Sequence, residues 1–236
     1  MENTLLTEMT GTNFYQEFVQ SITLEQYRIV SKKLGEAAQI EKAKVRELYF
    51  INGNQQENED RIDEDAMTEV FWISNYYKPE ISGIYLNKRC RTNSRFLEEK
   101  IPLSQLQYIK LMSGDYEWMK NNDNRLLTEF YVKKQLFDLK PDVVVESNRE
   151  QYFFAEKKLH VHIDKDVVIE NPKLEVERTE IKRMFHPQPI VINLKIKENA
   201  IKEFFMQFYN MFQNILNKEA FHVLDGNENN EIFALA

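Results

Sequence analysis

Hydrophobic positions recur along this chain at two spacings, and their succession predicts strands interrupted by a few helices. In 23–38 (TLEQYRIVSKKLGEAA), Tyr27, Val30 and Leu34 fall on one face at helical spacing, with Ile29 beside them. Thr23 opens that run and Gln26 follows three residues on, the spacing of a capping box in which each side chain satisfies the other's backbone N–H. Residues 44–51 (KVRELYFI), 68–74 (TEVFWIS), 83–91 (GIYLNKRCR) and 95–100 (RFLEEK) read as successive strands rich in β-branched and aromatic residues. Short helical pieces are expected over 103–120. An amphipathic helix is expected over 126–139, through Leu126, Leu127, Phe130 and Phe137, ended by Pro141. VVVES and QYFFA flank Asn148 and predict a hairpin turning there. LHVHID (159–164) alternates strictly, and KLEVER (173–178) and PIVINLKIK (189–197) continue the strand pattern. Residues 199–217 carry the clearest helical face, through Ile201, Phe204, Phe205, Phe208, Phe212, Ile215 and Leu216. The succession predicts an α+β fold.

Composition narrows the class. A chain of 236 residues fits one domain, 1–236, with a sizeable core, and its 16 Phe and 11 Tyr require much aromatic surface to be buried. Cys90 is the only cysteine, which excludes a disulfide framework and a cysteine-based zinc site. The opening MENTLLTEMTGTNF has no basic stretch followed by an apolar one, so no secretory signal is expected. No segment approaches the ~18 apolar residues of a membrane span. The expectation is an intracellular, cytoplasmic protein. Its formal net charge of −7 argues against non-specific nucleic-acid coating, so any polyanion must be gripped in a local basic site. Residues 53–65 read as a solvated acidic loop without the ligand spacing of a calcium loop, and 225–236 as a flexible tail.

The candidate chemistry lies in the strand faces, because residues two apart share a face. Asn87, Arg89 and Arg91 group together, as do Phe96, Glu98 and Lys100. Lys158, His160, His162 and Asp164 oppose Leu159, Val161 and Ile163; Asn193, Lys195 and Lys197 oppose Ile192, Leu194 and Ile196; Glu175 pairs with Glu177. One such strand is an ordinary sheet with its polar face in water. Five together suggest a closed sheet that turns the polar faces inward, with the apolar faces outward against helices. Arg, Lys and His can pair phosphate oxygens, and carboxylates supply hard oxygen ligands to Mg²⁺ or Mn²⁺.

VRELYF (45–50), KRCR (88–91), FLEEK (96–100), LKPDVVVESNREQYFF (139–154), LHVHIDKDV (159–167) and VINLKIK (191–197) with the following helix stand in an order that resembles the VTC polyphosphate polymerase domain. That domain belongs to the triphosphate tunnel metalloenzymes. The resemblance implies a closed antiparallel β-barrel with flanking helices and an amphipathic C-terminal helix. It implies phosphate contacts at Arg89, Arg91, Lys158 and His160, catalytic roles for Lys100, Arg149 and Lys195, and metal ligands at Glu98 and Asp164. The pair Glu175 and Glu177 is similar to the E-x-E strand of metal-dependent RNA 5′-triphosphatases of the same tunnel fold. The implied partners are polyphosphate, a nucleoside triphosphate or an RNA 5′ end, and the implied reaction is metal-dependent phosphotransfer or phosphohydrolysis.

The chain departs from the family pattern mainly at acidic positions. Asn193 stands where the family has a metal-binding Glu, and Ile51 where it has Asp. The first strand, FYQEFV, lacks an acidic-x-Lys pattern, although it holds Glu17, and His160 replaces an Arg. A catalytically inactive tunnel used for phosphate or protein binding is therefore a second expectation. A third comes from Asp142 with Glu156 and Lys158, the PD…ExK spacing of a nuclease superfamily, on the two arms of the predicted hairpin.

Overall fold

The computed structural model describes residues 14–51, 68–77, 83–92, 95–154, 159–170 and 190–197. Within them lie β1 (Tyr15–Ile22), α1 (Leu24–Ala37), β2 (Gln39–Ile51), β3 (Thr68–Tyr77), β4 (Gly83–Thr92), β5 (Arg95–Leu103), α2 (Gln105–Met112), a 3₁₀ turn (Glu117–Met119), α3 (Arg125–Phe137), β6 (Lys140–Phe154), β7 (Leu159–Glu170) and β8 (Ile190–Lys197). KLEVER and the 199–217 helix lie outside the described residues. No described helix is long and apolar enough to cross a membrane.

The strands hydrogen-bond in a ring, β1-β5-β4-β3-β2-β6-β7-β8, through antiparallel pairings. The β1–β5 seam is narrow, with Tyr15 opposite Phe96 and Gln16 opposite Arg95. Apolar residues pack on the outer faces of this ring, under the helices. Val30 and Leu34 of α1 sit fully buried against Phe18 and Ile22 of β1, Tyr152 and Phe154 of β6, Leu159, Val161 and Ile163 of β7, and Ile192, Leu194 and Ile196 of β8. A second cluster joins Leu126, Leu127 and Phe130 of α3 and Leu111 of α2 to Leu48 and Phe50 of β2, Phe71 and Ile73 of β3, Leu86 of β4 and Leu103 of β5. Period-2 alternation then sends the polar faces inward.

The predicted capping box forms. Thr23 Oγ1 accepts from the Gln26 backbone N–H at 3.2 Å, while Gln26 Oε1 accepts from the Thr23 N–H at 2.8 Å. Ser104 and Gln107 repeat the device at α2. Because Thr23 anchors the helix that covers half of the ring, Thr23→Ala is expected to lower stability by about 1 kcal/mol in urea denaturation. An unchanged midpoint would show that the cap contributes nothing.

Two local expectations are corrected. Residues 140–154 are one long strand, not a hairpin: Asn148 marks a bulge, where the β6–β7 register shifts between Glu146 and Asn148. The ladder of β2 runs past this point on the other side, pairing Lys44 with Asn148 and Ala43 with Arg149, which leaves no room for a turn. Asp142 therefore stands near the start of a strand running on to Phe154, without the hairpin that the nuclease reading required. The helix predicted to end at Pro141 stops at Phe137, with Asp138 in the left-handed region at φ 49°.

Candidate functional site

The bulge borders the first half of the ring interior. On β7, Asp166 takes φ 53°, which Asp tolerates, and accepts from Asn148 Nδ2 at 2.7 Å. Ser147 and Arg149 face inward by alternation along β6, and Asp164, before the extra residue of β7, stands opposite Arg149. Arg149 donates through Nε and Nη2 to Asp164 Oδ1 and Oδ2 at 2.7 and 2.9 Å. Its Nη1 and Nη2 reach Glu47 Oε1 and Oε2 at 3.0 and 3.1 Å. Ser147 Oγ donates to Asp164 Oδ1 and Tyr49 OH to Glu47 Oε2. Glu47 is nearly enclosed; burial opposes its ionisation, but Arg149 and Lys195 outweigh it and hold the carboxyl below its ordinary range.

The second half is a chain of ion pairs, one between the paired strands β4 and β5 and two that cross an intervening strand. Arg89 of β4 donates from Nη1 to Glu17 Oε2 of β1 at 2.7 Å, and from Nε to Glu98 Oε1 of β5 at 3.0 Å. Lys195 of β8 reaches Glu98 Oε1 and Oε2 at 2.8 and 2.9 Å. Asn193 Nδ2 donates to Glu17 Oε1 at 2.6 Å. Burial would raise the Glu98 carboxyl, yet Lys195 and Arg89 hold it down at about 2. Aromatic rings line the cations: the Arg89 guanidinium lies 4.7 Å from the Phe96 centroid and 5.7 Å from that of Trp72.

Lys100 differs from these groups. Its ammonium lies 3.8 Å from the Tyr85 centroid and 4.7 Å from that of Tyr76, and it stays open to solvent within the ring. Burial lowers its pKa; Glu47 opposes the shift, and Arg149 adds to it. His162 is held well below its ordinary range by burial and then by Lys195, Arg149, His160 and Lys100, so it stays neutral at physiological pH.

The predicted residues thus divide. Arg89, Glu98, Lys100, Arg149, Asp164 and Lys195 converge on the interior, and His160 stands near them against Phe153 and Tyr15. Arg91 lies further along the Arg89 face of β4, opposite Phe96 and Thr68, and is exposed. Lys158, Glu175 and Glu177 lie outside the described residues. Glu47 was missed by sequence reasoning. Its signal was a carboxylate between Leu48 and Arg46 in the strand VRELYF, on the face that Val45 and Tyr49 share.

Glu17, Glu47, Glu98 and Asp164 each have both oxygens engaged. Among the described residues, no group of three or more His, Cys, Asp or Glu is placed to hold a metal ion. As arranged, the donors suit an anion: a divalent cation beside Glu98 or Asp164 would face the guanidinium of Arg89 or Arg149.

A family model described as the VTC domain matches residues 7–225. Solved structures share the fold at low sequence identity. A candidate adenylyl cyclase from Hippeastrum with a dominant triphosphatase activity aligns at TM-score 0.51 and 10% identity, covering 91% of this chain and 96% of its own. A candidate adenylate cyclase from Bacillus halodurans gives TM-score 0.51 and 11% identity over 86% and 91%. The PH1012 protein of Pyrococcus horikoshii OT3 gives 0.50 and 10% over 87% and 93%. No curated protein matches the chain by sequence.

Proposed function

The chain belongs to the VTC domain family, and on that premise we propose that its ring interior binds the phosphates of a tri- or polyphosphate chain. The observation that carries this reading is the convergence of Arg89, Arg149 and Lys195, from separate parts of the ring, with Lys100 open among them. A guanidinium fork matches two phosphate oxygens, and an ammonium adds a point charge. Polyphosphate, a nucleoside triphosphate and an RNA 5′ end share this recognition element.

The finer reading is phosphoryl transfer or hydrolysis of that chain. Arg89, Arg149 and Lys195 would orient the phosphates and offset charge on the transferred group, while Lys100, the cation with the lowered pKa, would sit beside the reacting phosphoryl. Mg²⁺ or Mn²⁺ would supply further charge neutralisation, and Glu175 and Glu177 are the sequence candidates for holding it. A second reading, binding without turnover, is favoured by Asn193: where the family has a metal-binding Glu, this chain has an amide that donates to Glu17.

The test is calorimetric titration of tripolyphosphate, ATP and polyphosphate, followed by phosphate release with Mn²⁺. Arg89→Ala is expected to weaken tripolyphosphate binding roughly tenfold to a hundredfold, the loss typical of a charged hydrogen-bond partner. Equal affinity in the variant and the wild type would remove the interior from consideration. Release of phosphate by the wild type decides for the enzyme, and binding without release for the inactive tunnel.

A further inference from the structure

We propose that Glu98 is an internal stand-in for a phosphate group: its carboxylate occupies the donors of Arg89 and Lys195, and an anionic ligand enters by displacing it. The inference rests on the phosphate-binding reading above and gives Glu98 a role opposite to that of a metal ligand.

The geometry is that of an occupied anion site. Glu98 Oε1 accepts from Arg89 Nε at 3.0 Å and from Lys195 Nζ at 2.8 Å, and Arg89 Nη2 bonds the same oxygen. Oε2 accepts from Lys195 at 2.9 Å. A guanidinium edge and an ammonium converging on a pair of oxygens are what a phosphate group requires. Of the two carboxylates in this cluster Glu98 is the more open, 25% of its side chain against 14% for Glu17.

The site keeps its shape without the Glu98 carboxylate. The far side of the Arg89 fork stays bonded to Glu17, and Glu17 is itself held by Asn193. The guanidinium lies over Phe96 and Trp72, which fixes its plane. Lys195 lies 5.7 Å from the Phe96 centroid. Donors that remain oriented when their first partner leaves lower the cost of accepting a second. The Glu47–Arg149–Asp164 triad is a contrast: Arg149 bridges residues of the two strands paired with its own, and all three side chains are more enclosed than that of Glu98.

An internal anion that must leave reduces apparent affinity by the fraction of time the site is empty. Removing its charge should therefore strengthen anion binding, whereas removing a metal ligand should weaken metal-supported binding. The experiment titrates tripolyphosphate into the full chain, wild type and Glu98→Gln, in EDTA, with thermal melts alongside. The variant is expected to melt lower without ligand, because two cations lose their shared partner. It should then bind tripolyphosphate roughly tenfold tighter than the wild type and show the larger upward melting shift.

Unchanged or weaker binding in Glu98→Gln, with the wild type binding normally, would overturn displacement and leave the phosphate reading standing. If neither protein binds, both fall. If Glu98→Gln does not fold, Glu98→Asp keeps the charge on a shorter stem that reaches Arg89 and Lys195 less well; it should bind more tightly than the wild type, and equal or weaker binding overturns the proposal.

Discussion

Arg149→Leu is expected to cost the protein about 3–5 kcal/mol of folding stability, the loss typical of removing one partner from a buried ion pair. Arg149 is the only cation that any ion pair among the described residues gives to Glu47 or Asp164. With it gone, two inward-facing carboxylates lose their shared guanidinium, and Glu47 cannot turn to water. Burial, the largest influence on Glu47, would then be opposed by Lys195 and the Tyr49 hydroxyl without Arg149, and the folded pKa should rise. A carboxyl whose folded pKa rises gives up less stability as pH falls. The variant should therefore lose less stability than the wild type between pH 7 and pH 5, where a neutral His162 already costs the wild type stability. Urea denaturation at both pH values reads the two effects. A loss below about 1 kcal/mol would mean that the triad resembles an ordinary surface pair. Replacing Glu47 and Asp164 by Leu in the same background should recover most of the loss, because an apolar set of similar volume avoids the desolvation cost.

The triad also shows where the sequence stops being legible. LHVHID and INLKIK declare their two faces because every second residue is a large aliphatic, and those aliphatics find α1. The pattern does not say whether the polar face meets bulk water or a closed interior. That distinction needed several charged strands at once and a resemblance across the chain. β6 was harder. Glu146 points out toward Lys44 and Arg46, Ser147 and Arg149 point in, and Glu150 points out under α1 to Lys42, Lys165 and Tyr27. A strand with polar partners on both faces has no apolar period, so ESNRE reads as a turn. Glu17 and Glu47 illustrate a related limit. Each is one carboxylate in an otherwise unremarkable strand; Glu17 finds Arg89 across the intervening β5, and Glu47 finds Arg149 on its paired strand β6.

The same closure makes the interior and the outer shell comparably sensitive to acid. Glu98 inside the ring and Glu150 outside it are both held at about 2, well below the ordinary 4.5. Burial works against ionisation in each. Lys195 and Arg89 overcome it at Glu98; hydrogen bonds from Lys165, Lys42 and Tyr152 do so at Glu150. A carboxyl depressed in the folded state contributes stability that is fully present above its unfolded pKa and lost as pH falls through the folded value. The window is therefore pH 4.5 down to 2, and each group contributes on the order of 3 kcal/mol across it. Glu47 and Glu69, also held low, add to the loss in the same direction. Stability measured by urea denaturation should fall gently below pH 6.5, where His162 stays neutral in the fold but protonates in the unfolded chain, and then steeply below pH 4.5. Glu150→Gln should start lower and show a shallower fall. Glu98→Gln should do the same, and the two effects should add, because the side chains lie on opposite faces of the sheet and share no partner. A wild-type profile that stays flat to pH 3 would show that neither carboxylate is held by its cations. Tripolyphosphate should blunt the acid loss tied to Glu98 but not that tied to Glu150, since only the first lies among the donors an anion would take over.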